Sequence, residues 1–131
     1  MIILRDFLTI YTSTQALTPI LTIKVLLHAF DGNAKSAQPG IDSGYFFSIP
    51  PSVCRSDQKK KLISKIPMGQ ILLETDSPVL GPSKDERNEP KNIIISAEYI
   101  AQIKNTDVET VIKTTTENAI RLFPKLKQLI K

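Results

Sequence analysis

Two short apolar runs, each ending directly in residues that can bind a metal, constrain the fold of this chain most. Residues 71–73 are Ile-Leu-Leu, and Glu74 and Asp76 follow before a proline stops the strand. Residues 25–27 are Val-Leu-Leu and lead directly into His28. Runs of this kind predict buried strands. In a parallel barrel, the carboxyl ends of such strands are where metal ligands and catalytic groups lie.

The remaining pattern is an alternation of strands and helices. Apolar runs predict three strands, at 24–28, 45–49 and 70–74. Residues 1–4 are apolar enough to form a further short strand. Amphipathic stretches bounded by caps or proline predict helices, at 33–41, 57–66, 92–104 and 106–123. Strands that alternate with helices pair in parallel through right-handed crossovers, so an α/β protein is predicted.

Local signals predict where several helices begin and end. Ser56 is the predicted N-cap of the second helix. Thr106 and Glu109 form a predicted capping box for the last helix, and Asn105 can take the left-handed turn before it. The lysines at 59–61 are expected to lie on a solvent-facing helix surface.

The length and net charge of the chain limit the folds and binding partners that it can have. The chain has 131 residues, enough for one domain, whereas a complete (β/α)₈ barrel needs roughly 250. The net charge is +4, and the excess lies in residues 55–131, which hold fourteen basic and ten acidic side chains. This distribution suits a polyanionic partner, and ordinary solvated helix faces explain it equally well.

The sequence also bears on where the protein resides. Cys54 is the only cysteine, so no disulfide can form within the chain, which fits a reducing compartment. A buried or idle thiol is favoured over a metal ligand at this position. Residues 1–27 lack the uninterrupted apolar core of a secretory signal, and no transmembrane span is predicted. We expect no membrane association and an intracellular location, cytoplasmic or nuclear.

Five short motifs occur in order along the chain: HAFDG (28–32), GYFFS (44–48), LETDSP (73–78), RNEP (87–90) and TENA (116–119). Together they resemble the TatD family of metal-dependent deoxyribonucleases, within the amidohydrolase-like barrels. The resemblance runs over 24–131 and implies the C-terminal part of a (β/α)₈ TIM barrel, about its last three β/α units. Residues 1–23 are expected to be a divergent or non-family segment.

The resemblance assigns roles to particular residues. His28 matches a metal-ligand histidine, and Asp76 matches an aspartate that touches the metal and serves as a catalytic base. Glu74 is either a carboxylate that supports the ligands or a plain ion-pair partner. Arg87 and Asn88 match a loop expected to contact phosphate, although Arg87 taken alone is equally well explained as a solvated loop residue.

The resemblance also implies cofactors and a reaction. An intact family member would hold two divalent cations, Mg²⁺ or Mn²⁺ with Zn²⁺ as an alternative, and would cleave DNA as an exonuclease. This chain has one histidine, so the other family histidine ligands are missing and activity is expected to be impaired. The alternative is a non-catalytic fragment that binds nucleic acid or a partner. Expected partners are DNA, a missing N-terminal half, or a second copy of the chain.

Overall fold

A four-stranded, all-parallel sheet forms the centre of the fold. The computed structural model describes residues 2–4 and 24–130. The strands are β1 (Ile2–Leu4), β2 (Val25–Leu27), β3 (Phe46–Ile49) and β4 (Ile71–Leu73). They lie in the order β1-β2-β3-β4, and every neighbouring pair is parallel. The three predicted strands and their parallel pairing are therefore confirmed, and residues 2–4 add a fourth strand.

Helices and short 3₁₀ turns connect and cover the strands. The helices are α1 (Ala34–Asp42), α2 (Asp57–Lys65), α3 (Ile93–Lys104) and α4 (Val108–Leu122). The 3₁₀ turns are Pro51–Arg55, Met68–Gln70, Pro90–Asn92 and Pro124–Gln128. Within the described ranges, no helix is long and apolar enough to cross a membrane.

The two faces of the sheet bury different sets of side chains because successive strand residues point to opposite sides. On one face, Phe47, Ile49 and Ile71 join the larger core, which α2, α3 and α4 complete. On the other face, Phe46 joins a smaller cluster with Leu26, Leu72 and Leu122. Since 46 and 48 share a face, Ser48 lies on the side of the smaller cluster.

The N-cap of α2 and the C-terminus of α3 agree with the sequence. Ser56 Oγ accepts a hydrogen bond from the backbone N–H of Lys59 at 3.2 Å and so caps α2. Asn105 has φ 53° and ψ 51°, the left-handed conformation that closes α3. Both predictions are confirmed.

The predicted capping box of α4 is wrong by one residue. The N-cap is Asp107, whose carboxylate accepts from the Thr110 N–H at 2.7 Å. Thr106 instead belongs to the turn that ends α3, since its N–H donates to the Ala101 carbonyl at 3.0 Å. Thr106 is part of the turn that ends α3, so the N-cap of α4 comes one residue later, at Asp107.

Candidate active site

The carboxyl ends of β2 and β4 bring three titratable side chains together. His28 follows β2 directly, and Glu74 and Asp76 follow β4. His28 Nε2 lies 2.6 Å from Glu74 Oε2 and 3.9 Å from Asp76 Oδ1. The parallel sheet thus places at one edge the residues that the sequence singled out.

Unusual backbone conformations follow both strand ends. Ala29 has φ 46° and Asp76 has φ 53°, so both lie in the left-handed region. Aspartate visits this region more readily than alanine, for which the conformation costs roughly 1–2 kcal/mol. Residues held in such conformations cluster at functional sites.

Ser48 joins the two strand ends and was missed from the sequence. Its Oγ donates to Glu74 Oε2 at 2.9 Å and accepts from the Ala29 N–H at 3.3 Å. One hydroxyl therefore holds both the turn after β2 and the carboxylate after β4. The available signal was a polar residue inside an otherwise apolar strand, at 46–49.

Burial is the largest influence on the pKa of Glu74. The side chain of Glu74 is 10% exposed, and burial raises its pKa, opposed by the neighbouring His28 and the hydrogen bond from Ser48. His28 Nδ1 and Glu74 Oε1 are buried without a hydrogen-bond partner. Buried polar atoms rarely lack partners, and a bound ion or water commonly supplies the missing one.

The donor set fits one side of a divalent-cation site. An imidazole nitrogen and carboxylate oxygens are ligands that Zn²⁺ and harder divalent cations accept. The three side chains are nevertheless too few for a complete shell of a hard cation. In the part of the chain that the structure describes, no three His, Cys, Asp or Glu side chains stand in a metal-binding arrangement.

A cavity of about 540 Å³ adjoins Asp76 and carries basic side chains that the sequence did not single out for the site. Arg55, Lys59 and Lys84 line it. Lys59 was expected to face solvent, which is wrong: the residue is 8% exposed. Its Nζ lies 3.0 Å from Asp31 Oδ1, because the first turn of α2 packs against the loop after β2.

Arg87 and Asn88 lie apart from this cavity. Arg87 is exposed and lines a second cavity of about 510 Å³. Asn88 is buried, and its Nδ2 donates to the carbonyls of Thr75 and Val79, both at 2.7 Å. Asn88 therefore anchors the loop after β4, and a phosphate contact by either residue stays a prediction.

Sequence comparison settles the family. Residues 4–124 match the family model of the TatD related DNases. The chain belongs to the TatD family. The human deoxyribonuclease TATDN3 is 63% identical over 107 residues, which cover 82% of this chain and 39% of that protein. An uncharacterized metal-dependent hydrolase of Methanocaldococcus jannaschii, MJ1582, is 34% identical over 103 residues, covering 79% of this chain and 41% of that protein.

Solved structures of TatD proteins share the fold. A TatD family hydrolase from Entamoeba histolytica superposes with a TM-score of 0.70 at 22% identity, covering 77% of this chain and 42% of that one. The TatD homolog YJJV from Escherichia coli gives 0.68 at 21% identity, with 76% and 40% covered. The parallel strands β2, β3 and β4 are thus part of a TIM barrel, as predicted. The chain spans about two fifths of the length of these relatives.

Proposed function

We propose that this chain supplies one part of the active site of a divalent-metal-dependent hydrolase that cleaves phosphodiester bonds in DNA. The observation that carries the proposal is the convergence of His28, Glu74 and Asp76 at the carboxyl edge of a TatD-type parallel sheet. The relatives, which are named as a deoxyribonuclease and a metal-dependent hydrolase, support the reaction class.

His28 and Asp76 are the proposed metal ligands, with Mg²⁺ or Mn²⁺ as the cation and two cations in the assembled site. In the structure, Nε2 of His28 faces Glu74 and lies 3.9 Å from Asp76 Oδ1, so this side of the imidazole is where His28 and Asp76 approach each other. A bound divalent cation supplies positive charge that stabilises the developing charge on phosphate and eases deprotonation of the attacking water.

Asp76 is also the proposed general base. Its side chain is 17% exposed and lines the cavity beside the strand ends, where a substrate phosphate and a water can enter. Its carboxylate can accept the proton that the water loses as the new bond to phosphorus forms. The left-handed backbone at Asp76 fixes the direction in which that carboxylate leaves the strand.

Glu74 is the proposed positioning residue. Its short contact with His28 Nε2 holds the imidazole in one orientation, and Ser48 holds Glu74 in turn. Partners of this kind fix the orientation of a ligating histidine and raise its basicity. Of the two interpretations left open by the sequence, support of the ligands therefore agrees better with the contacts.

The first test measures cleavage of labelled single-stranded and duplex DNA with Mg²⁺ or Mn²⁺. We expect little or no turnover by the 131-residue chain, because His28 and Asp76 alone cannot hold two cations. A chimera in which residues 24–130 replace the matching segment of human TATDN3 should cleave DNA. Exonucleolytic cleavage, the finer part of the proposal, predicts mononucleotide products and protection when the strand ends are blocked.

Variants of the chimera test the assigned residues. Asp76→Asn and His28→Ala should each lower the cleavage rate by at least about 100-fold, since each removes a ligand and the first also removes the base. Asp85→Asn, an equal charge change in an exposed loop position, is the matched control and should cleave at the parent rate. Robust turnover by the chimera with Asp76→Asn would show that the site lies elsewhere.

A further inference from the structure

The cavity beside Asp76, here called the basic cavity, has walls from four separate segments, and the loop after β2 contributes Ala29 and Asp31. The 3₁₀ turn after β3 contributes Ser52 and Arg55, the start of α2 contributes Lys59, and the loop after β4 contributes Lys84. Its volume of about 540 Å³ is ample for a phosphate group with its sugar. No role in the proposed metal chemistry accounts for the last four of these side chains.

The charges of the basic cavity favour an anion. Of the two carboxylates in its lining, Asp31 pairs with Lys59 at 3.0 Å, so these two charges largely cancel. The other, Asp76, faces the proposed cation. Arg55 and Lys84 are then the charges that a substrate meets, since both residues line the cavity and are exposed.

Arg55 is oriented by the loop after β4. Its Nε donates to the Gly81 carbonyl at 3.1 Å, which leaves the terminal nitrogens of the guanidinium fork to face a ligand. Gly81 packs tightly, since a Cβ at this position would come within 2.9 Å of Asn88 Cβ. The buried Asn88 thus positions the loop that positions Arg55. A planar fork held in this way suits bidentate binding of phosphate oxygens.

Ser52 gives an independent indication of a ligand. The residue lines the cavity and is 3% exposed, and its Oγ is buried without a hydrogen-bond partner. A buried hydroxyl without a partner is costly, and an anion oxygen in the cavity would satisfy it. The N-terminus of the nine-residue helix α2, capped by Ser56 in the same wall, adds a positive potential.

We infer that the basic cavity binds a phosphate group of the DNA strand beside the bond presented to Asp76, with Arg55 and Lys84 as its charged contacts and Ser52 Oγ as a hydrogen-bond donor. The inference rests on the proposed function, because it takes the substrate to be a polynucleotide. It adds a substrate site whose contact residues, Ser52, Arg55 and Lys84, lie outside the five family motifs.

The test is binding of a fluorescein-labelled single-stranded oligodeoxynucleotide to the full chain, followed by fluorescence anisotropy in EDTA. Without divalent metal, the measurement does not depend on the metal centre. Arg55→Ala and Lys84→Ala should each weaken binding about 10-fold and reduce the salt slope by about 0.7, the value for one phosphate contact on a single strand. Arg55→Lys, which keeps the charge and loses the fork, should fall in between. Ser52→Ala should weaken binding less than Arg55→Ala.

Lys61→Ala is the control. Lys61 is exposed on helix α2, and its substitution removes one positive charge, as Arg55→Ala and Lys84→Ala do. It should bind within about twofold of the parent chain, because it loses no direct phosphate contact. Equal effects of Lys61→Ala, Arg55→Ala and Lys84→Ala would mean diffuse attraction and would overturn the inference. Unchanged binding with Arg55→Ala and Lys84→Ala, or no binding by the parent chain at low salt, would overturn it as well.

The result of this binding test can be distinguished from the result of the cleavage test of the proposed function. If Arg55 and Lys84 control binding in EDTA while the chimera does not cleave DNA, the phosphate site stands and the hydrolase proposal fails. If the chimera cleaves DNA and its KM is unchanged by Arg55→Ala, the hydrolase proposal stands and the phosphate site fails.

Discussion

Asn118 shows how a single buried amide fixes the last helix against the sheet. It is 3% exposed, and its Nδ2 donates to the carbonyls of Met68 and Ile71 at 2.7 and 2.8 Å. These carbonyls belong to the turn before β4 and to β4 itself. Asn118 therefore holds in register the strand that carries Glu74 and Asp76.

Asn118→Ala should lower the free energy of unfolding by about 2–4 kcal/mol, because two buried carbonyls lose their donors and each costs roughly 1–3 kcal/mol. Thr116→Ala, an exposed position on the same helix, should change it by no more than about 0.5 kcal/mol. Urea unfolding followed by circular dichroism measures both. Equal stabilities would show that water replaces the amide at no cost.

At the residue scale, the sequence indicated which residues follow the strands better than it indicated which side chains contact those residues. His28 and Asp76 could be singled out because each follows an apolar run within three residues, which is a local signal. The burial of Lys59 and the bridging by Ser48 could not, since both depend on residues more than fifteen positions away. The role of Asn88 could not be predicted either, because its carbonyl partners, Thr75 and Val79, come close to it only in the folded loop after β4.

At the element scale, the junction between α3 and α4 concentrates several capping interactions in three residues. Asn105 takes the left-handed turn, Thr106 bonds back to Ala101, and Asp107 caps the next helix. The sequence predicted the turn correctly but placed the cap at Thr106. Both threonine and aspartate are good N-caps, and only the hydrogen bond that closes α3 decides between them.

Asn105→Ala should lower the free energy of unfolding by about 1 kcal/mol, because alanine pays the cost of the left-handed conformation without the local hydrogen bonding open to asparagine. Asn105→Gly should leave stability within about 0.5 kcal/mol of the parent, since glycine adopts this φ at no steric cost. Thermal and urea unfolding of the two variants give the comparison. A destabilising glycine with a neutral alanine would contradict the assigned turn.

At the scale of the whole molecule, the alternation of strands and helices predicted the architecture. Each strand and helix has a local hydrophobic periodicity that can be recognised in the sequence. The parallel order of β2, β3 and β4 followed from the crossover rule alone. The assignment of residues 1–23 to a non-family segment stays a prediction. The shape of the loop between β4 and α3 could not be predicted, since long-range contacts such as that of Arg55 with Gly81 set it.

The sheet itself makes a prediction about association. In the described part of the chain, β1 and β4 each pair with one neighbour, so each has one edge without a strand partner. Open parallel edges present unpaired N–H and C=O groups that can pair with another chain. We therefore expect the purified 131-residue chain to associate with itself or to unfold at modest temperature.

Sedimentation velocity over a range of concentrations and reversible thermal unfolding test this expectation. Adding the N-terminal part of human TATDN3, which in a barrel would cover both edges, should shift the chain from self-association to a one-to-one complex with a higher Tm. Asn105→Gly is a suitable control, because it changes an exposed turn residue between α3 and α4 and no strand residue, and it should associate like the parent chain. A monomer with one sharp, reversible transition at high temperature would contradict the expectation, since it would require both edges to be covered within the chain.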